Sequence, residues 1–303
     1  MRATCSIALI FLLTAGRVGG TEFQVIKGVT SIAVTNGEAW TGGASGLGVW
    51  DKRVGAVRLL TDTDPSQIMV VNSQAGELLV AGGWPGESGW LGVRAPDVAP
   101  LHISLSPISN TFADTIVAAD WSEATQRWAL ACLDGQAAVI NSEQRKVLTQ
   151  FTGHSAGVTS IAWIDDNLVA SGGRDHTIRI WLANDGKLIR TLNNHTDEVV
   201  GLASRPGNNG MPWLASIARD RTIRFWQPTI GRLVRFFRLE EGEPTCLAWT
   251  IDGEALWVGT SQGKMLKVDP NTAQVIEHVQ VADDWITTIS IMPDSTVIVG
   301  VSE

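Results

Sequence analysis

The sequence predicts an all-β fold: a ring of seven blades, each a four-stranded antiparallel sheet, with the last blade closed by an N-terminal strand. Three observations predict it. A short apolar strand recurs as VTSIAV from 29, IMVVNS from 68, IVAADW from 116, VTSIAW from 158, VVGLAS from 199, PTCLAW from 244 and ITTISI from 286, at spacings of 39 to 48 residues. Such a period marks a repeat architecture whose units bury their faces only by stacking. Glycine is abundant, at 31 of 303 residues, while charged residues make up only 18%. Short β-rich runs bounded by turn residues recur, and sustained helical periodicity is hard to find.

Each unit repeats one order of elements. The recurring strand comes first and ends in a polar turn such as IDDN or TIDGE. A second strand runs into glycines: AWTGG in the first unit, LLVAGG in the second, LVASGG in the fourth, LWVGT in the sixth. A third strand often ends in an aromatic residue, as in GLGVW, TIRIW and TIRFW. A hairpin then leads to a more polar fourth strand, as in NDGKLIRTL, where Asp-Gly suits the positive φ of a tight turn. Four short antiparallel strands every forty-odd residues describe a β-propeller blade, and a closed ring leaves only short, protected edges.

The stretches GHSAGVTSIAWIDDNLVASGGRDHTIRIWLANDGKLIRTL and ASIARDRTIRFW resemble blades of the WD-repeat β-propeller family, and VWD at 49–51 holds the family's dipeptide. The resemblance spans about residues 22–303, sharpest in blades four and five. It implies a structural tetrad in each of those blades: His154, Ser171, Asp175 and Trp181 in blade four, and His195, Ser216, Asp220 and Trp226 in blade five. Elementary chemistry points the same way. A turn Asp accepts backbone N–H groups and an imidazole N–H, and a buried indole needs an acceptor for its single donor. A nucleophilic Ser would sit on a strained, exposed turn, whereas Ser171 lies in the ordinary strand LVAS. Blade one has Ser45 near the Asp position and no His before its first strand, and blades two, three, six and seven lack the complete set.

Composition excludes several classes. The net charge is −8 with no basic tail, so wholesale binding to a phosphate backbone is disfavoured and no nucleic-acid partner is expected. Cys5, Cys132 and Cys246 form no C-x-x-C pair and stand at no metal spacing beside His, so no zinc site is expected. Cys132 and Cys246 fall on non-adjacent blades and are expected as buried thiols. No cofactor, metal ligand or catalytic residue is assigned.

Four residues are candidates for contact with a partner: Trp84, Arg174, Arg219 and Trp285. Trp84 lies in GGWPGESGW, read as an extended loop between the second and third strands of blade two. Trp285 follows the Asp283–Asp284 pair, read as a solvated turn, in a loop on that same face. Trp and Arg are the residue types that dominate binding hot spots. Blade five also holds Arg221, Arg224, Arg232, Arg235 and Arg238; charges along its outer strand GRLVRFFRL deter edge-to-edge pairing, and an acidic partner is the alternative reading.

The N-terminus supports two readings. MRATCSIALIFLLTAGRVGG has a basic residue, an apolar run and then small residues, which describes a signal peptide over 1–20, too short for a stable membrane span, followed by the propeller over 21–303. That reading expects export to a periplasmic or extracellular space. Alternatively SIALIF, 6–11, is the third strand of blade seven beside EFQVIK, 22–27, as its fourth, and the protein stays cytoplasmic. Function is expected to be that of a non-catalytic scaffold binding a protein or peptide on the loop face. The alternative is a propeller hydrolase or lactonase-like enzyme with a metal in the channel. The innermost strands, SIAW, GLAS, CLAW and TISI, are mostly apolar or small and argue against it, Asp120 being an exception.

Overall fold

Burial peaks at the second strand of each blade, because first strands line the central channel and fourth strands face solvent. Second strands lie between two neighbouring blades and are apolar on both faces: every residue of Leu256–Thr260 and Val297–Val301 is buried. Fourth strands face solvent, so Leu188–Leu192 buries only Leu192. The structure, a computed structural model, describes residues 10–13, 17–18, 21–35, 38–43, 46–51, 56–60, 68–74, 77–84, 86, 88–94, 105–106, 112–141, 146–205 and 212–302.

Blades one to six are each four strands in sequence order. Blade one comprises Ser31–Thr35, Glu38–Gly43, Gly46–Asp51 and Ala56–Leu60; blade two, Ile68–Gln74, Glu77–Trp84, Ser88–Arg94 and Leu105–Ser106. Blade three comprises Ile116–Ser122, Arg127–Cys132, Ala137–Asn141 and Lys146–Phe151; blade four, Val158–Trp163, Leu168–Gly173, Ile178–Leu182 and Leu188–Leu192. Blade five comprises Val199–Arg205, Trp213–Ala218, Thr222–Gln227 and Arg232–Arg238; blade six, Pro244–Trp249, Leu256–Thr260, Lys264–Asp269 and Gln274–Gln280. All pairings within these six are antiparallel.

Blade seven differs from the order read in the sequence. Ile286–Ile291 pairs with Val297–Val301, and Thr21–Lys27 takes the third position, not the fourth. It runs parallel to Val297–Val301, with Val25 opposite Val299. The reason is direction. Lys27 leads straight into Ser31–Thr35, the role fourth strands play elsewhere, and a fourth strand runs in the same sense as the second strand of its blade. Lying directly on that second strand, it is necessarily parallel. Ile10–Leu13, which overlaps the segment read as the third strand, lies outside it, pairing antiparallel with Val25 and Ile26 and, through Ile10 and Phe11, with Ala56 and Val57 of blade one. Residues 1–9 lie outside the described residues. Phe23 and Val25 are buried among Trp257, Met265 and Val299, with Phe23 edge-on to Trp257 at 5.3 Å.

Two sequence features set the spacing of neighbouring blades. A Cβ on Gly172 would lie 2.6 Å from Val199 Cγ1 of the next blade, so the glycine permits the approach. The first strand of blade four also bulges between Val158 and Ser160, which leaves Thr159 out of the ladder. Its hydroxyl donates to the carbonyls of Gly172 and, across the blade junction, Val199. Thr30 does the same toward Ile68 O at 2.8 Å, and Thr287 toward Val29 O. These hydroxyl ties surround a central channel whose loop-side chamber, about 530 Å³, is lined by Thr30, Thr159, Thr245 and Thr287 among aliphatic residues.

Candidate functional site

The Ser, His and Asp residues of blades four and five form two matching hydrogen-bond chains. In blade four, Trp181 Nε1–H donates to Ser171 Oγ at 3.2 Å, and Ser171 Oγ lies 2.8 Å from His154 Nε2. His154 Nδ1 lies 3.0 Å from both oxygens of Asp175. In blade five, Trp226 Nε1–H donates to Ser216 Oγ at 2.8 Å, Ser216 Oγ lies 2.8 Å from His195 Nε2, and His195 Nδ1 lies 3.0 Å from Asp220. Burial holds both imidazoles below their ordinary value of 6.5, so they are neutral near pH 7. Nδ1 faces a carboxylate that only accepts, so it carries the proton. Nε2 then accepts from the serine hydroxyl.

Each chain is larger than four residues. Thr177 and Thr222 donate to Asp175 and Asp220 through both amide and hydroxyl. Ser155 N and Thr196 N donate to the same carboxylates. Arg179 and Arg224 approach them at 3.6 Å. These donors outweigh desolvation and lower both carboxylates, Asp220 to about 2. Ser171 and Ser216 are 0% exposed, and each oxygen is occupied by an indole and an imidazole. A substrate carbonyl has no route to either oxygen. The chains tie the turn after the second strand to the loop before the first strand, and so hold the shape of the loop face.

On that face the structure places Arg174 and Arg219 in one line of ion pairs. Arg174 Nε lies 3.2 Å from Glu198, Arg219 Nε lies 2.9 Å from the same carboxylate, and Arg219 Nη1 lies 3.4 Å from Glu243. Glu198 is the residue that sequence reasoning missed. Its charge was visible in TDEVV, but its place between two arginines of successive blades follows only from the ring. Trp285 stands further round, beside Ala282 and the Asp283–Asp284 turn, with its side chain 48% exposed. Asp284 accepts the Trp285 amide at 2.7 Å. Trp84 is not in a loop: it is the last residue of Glu77–Trp84 and pairs with Ser88, because Gly82 and Gly83 continue the ladder outward opposite Trp90 and Gly89. Its side chain lies outside the described residues, as does Ser45.

Cys132 is buried and Cys246 is half-buried; burial pushes both thiols up to about 12. Cys5 lies outside the described residues. Asp120 lies on the channel wall away from the loop face, accepts the Trp163 amide at 2.7 Å and is raised by burial to about 6. The chamber there, about 580 Å³, is lined by Asp120, Trp121, Trp163 and Trp249. Among the described residues no three His, Cys, Asp or Glu side chains converge as a metal site. No helix among them is long and apolar enough to cross a membrane.

Comparison with known proteins agrees with this architecture. Residues 145–181 and 186–227 match the family model "WD domain, G-beta repeat", and 214–293 match the "Anaphase-promoting complex subunit 4 WD40 domain". The ribosome biogenesis protein YTM1 of Meyerozyma guilliermondii is 37% identical over 67 residues, 19% of this chain and 15% of that protein. The pre-mRNA-processing factor 19 homolog 2 of Arabidopsis thaliana is 31% identical over 111 residues, 35% of this chain and 21% of that protein. The matched stretches are thus a small part of those relatives' lengths. The WD40 β-propeller domain of Doa1 superposes with a TM-score of 0.78 at 14% identity, covering 98% of this chain and 94% of that one.

Proposed function

We propose that this chain, whose residues 145–181 and 186–227 match the WD-repeat model, is a non-catalytic scaffold that captures a protein or peptide on its loop face. The observation that carries this reading is Trp285, a large aromatic side chain left 48% exposed on the loop face. An exposed Trp is the residue type that most often anchors an interface. Arg174, Glu198, Arg219 and Glu243 supply a polar rim. Their half-exposed ion pairs contribute about 0–1 kcal/mol each, so a partner's charges exchange into them readily. Trp84 belongs to the same proposal.

A photo-crosslinking residue at position 285 tests it, with position 251 as control. Ile251 is 58% exposed but lies in a turn between first and second strands, on the opposite face. The proposal expects one defined partner crosslinked from 285, absent from 251, and lost when Arg219→Ala and Arg174→Ala are added. Equal crosslinking from both positions refutes it. We also propose that residues 1–20 are a signal peptide. Arg2 ahead of the apolar run supports that reading, while the pairing of Ile10–Leu13 with Val25, Ile26 and blade one favours the alternative in which the segment is retained.

A further inference from the structure

The outer rim of blade five is unlike the other rims. Its fourth strand, Arg232–Arg238, reads RLVRFFR and exposes Arg232, Arg235, Phe236 and Arg238. The corresponding strands carry one lysine in blade three (Lys146), one arginine in blade four (Arg190), and in blade six no Lys or Arg but Glu277. A basic stripe therefore interrupts a protein of net charge −8. The other blade-five arginines do not belong to it. Arg219 is in the loop-face ion pairs, Arg221 donates to Glu240 O, and Arg224 is buried against Asp220. Among the described residues, Arg232, Arg235 and Arg238 face no carboxylate; Arg235 donates only to the carbonyls of Asn271 and Val234.

Arg232–Arg238 is the last strand of its sheet, so one edge is left open. Beside the arginines stands Phe236, 55% exposed, its ring under the Arg224 guanidinium at 5.3 Å. Ile230, also exposed, precedes the strand. We propose that this edge docks an extended acidic segment of a partner protein, which adds as a fifth strand to blade five. An open edge offers a row of backbone donors and acceptors. The side chains then choose the occupant. A second copy of the same strand would set arginines against arginines, which destabilises an antiparallel pair, while carboxylates opposite them stabilise it. Phe236 shares its face of the strand with Arg238 and Arg224, and Arg232 and Arg235 lie on the other face, so an added strand meets charge on both faces and an apolar anchor at Phe236. This surface is separate from the loop face and goes beyond the reading given above.

The test uses the full chain and a fluorescein-labelled (Glu-Val)4 peptide, followed by fluorescence anisotropy at several salt concentrations. The peptide should bind, and more weakly as salt rises. Arg232→Gln/Arg235→Gln/Arg238→Gln should weaken binding about tenfold, the equivalent of 1.4 kcal/mol. A (Lys-Val)4 peptide, and (Glu-Val)4 with alternate backbone nitrogens methylated, should not bind. Trp285→Ala should bind the peptide like wild type, which separates this surface from the loop face. If the triple variant does not fold, Arg238→Gln and Phe236→Ser, both at exposed positions, serve with the same expected direction. Unchanged affinity in the variants overturns the proposal. So does full affinity of the methylated peptide, which would remove strand addition. A DNA duplex that displaces the peptide as well as unlabelled peptide does would mark a generic polyanion surface and overturn it too.

Discussion

Ser171→Ala removes one oxygen atom, and the consequence is calculable from its neighbours. That oxygen accepts Trp181 Nε1–H at 3.2 Å and donates to His154 Nε2 across 2.8 Å. Ser171 and Trp181 are 0% exposed, so water does not replace it. The substitution strands a buried donor and a buried acceptor, each at about 1–3 kcal/mol. The lower half of the summed range is expected, about 2–4 kcal/mol, because His154 keeps its bond to Asp175. With an m-value of about 3 kcal/mol/M in urea, the midpoint should fall by about 1 M at unchanged m. Ser160→Ala is the matched control. Ser160 is buried one strand away, and its Oγ has no hydrogen-bond partner. Its removal strands nothing and should leave the midpoint within experimental error or raise it. Equal losses in both variants would refute the reasoning, since they would show that the cost follows burial alone and not the network. A wild-type midpoint for Ser171→Ala would refute it as well.

Asp120→Asn keeps the acceptor for the Trp163 amide and removes a half-buried charge. Because desolvation raises Asp120 from 3.8 to about 6, the folded protein binds the extra proton, and stability falls as pH rises through that window. The variant should therefore be more stable than wild type at pH 7 and equal to it near pH 4; equal denaturant midpoints at both pH values would count against this. His154 and His195 act in the other sense. Burial lowers them, so the unfolded chain protonates first and stability is lost as pH falls below 6.5. With Asp120→Asn the fall from pH 7 to 5 should steepen, as the opposing contribution is gone. The proposed signal peptide makes its own prediction: the intact mass of protein from its native host starts near Thr21, and a mass starting at Met1 or Arg2 refutes it.

What was legible in the sequence was local. A blade's four strands are neighbours in the chain, so the period from Val29 to Ile286 and the turn residues between strands disclose them. The His, Ser, Asp and Trp of blades four and five recur at one phase, and their polar atoms require partners once buried. Relations between blades were not legible. Thr30, Thr159 and Thr287 stand at the same position of VTSIAV, VTSIAW and ITTISI, yet their hydroxyls find acceptors only when the next blade is in place. Glu198 joins Arg174 to Arg219 for the same reason. Blade seven was misordered because SIALIF and EFQVIK are both competent strands by composition. What orders them is the direction in which Lys27 must enter blade one.

The ring is therefore held differently around its circumference, and the difference bears on binding. Blades four and five are pinned by buried polar chains from His154 and His195. The seam at blade seven has no such chain among the described residues. There the parallel ladder from Phe23 to Lys27 is backed by Phe23, Val25 and Ile26, all 0% exposed, each worth about 1.5–3 kcal/mol of apolar burial. Apolar burial is non-directional and tolerates small shifts, whereas a chain of hydrogen bonds does not. Trp285 sits on this seam: its carbonyl accepts the Ser302 amide at 3.0 Å, and the strand that follows it opens blade seven. A partner seated on Trp285 thus lies beside the junction where Thr21–Lys27 pairs with Val297–Val301. Binding that requires the closed ring adds its free energy to closure, so capture on the loop face and integrity of the seam are thermodynamically linked.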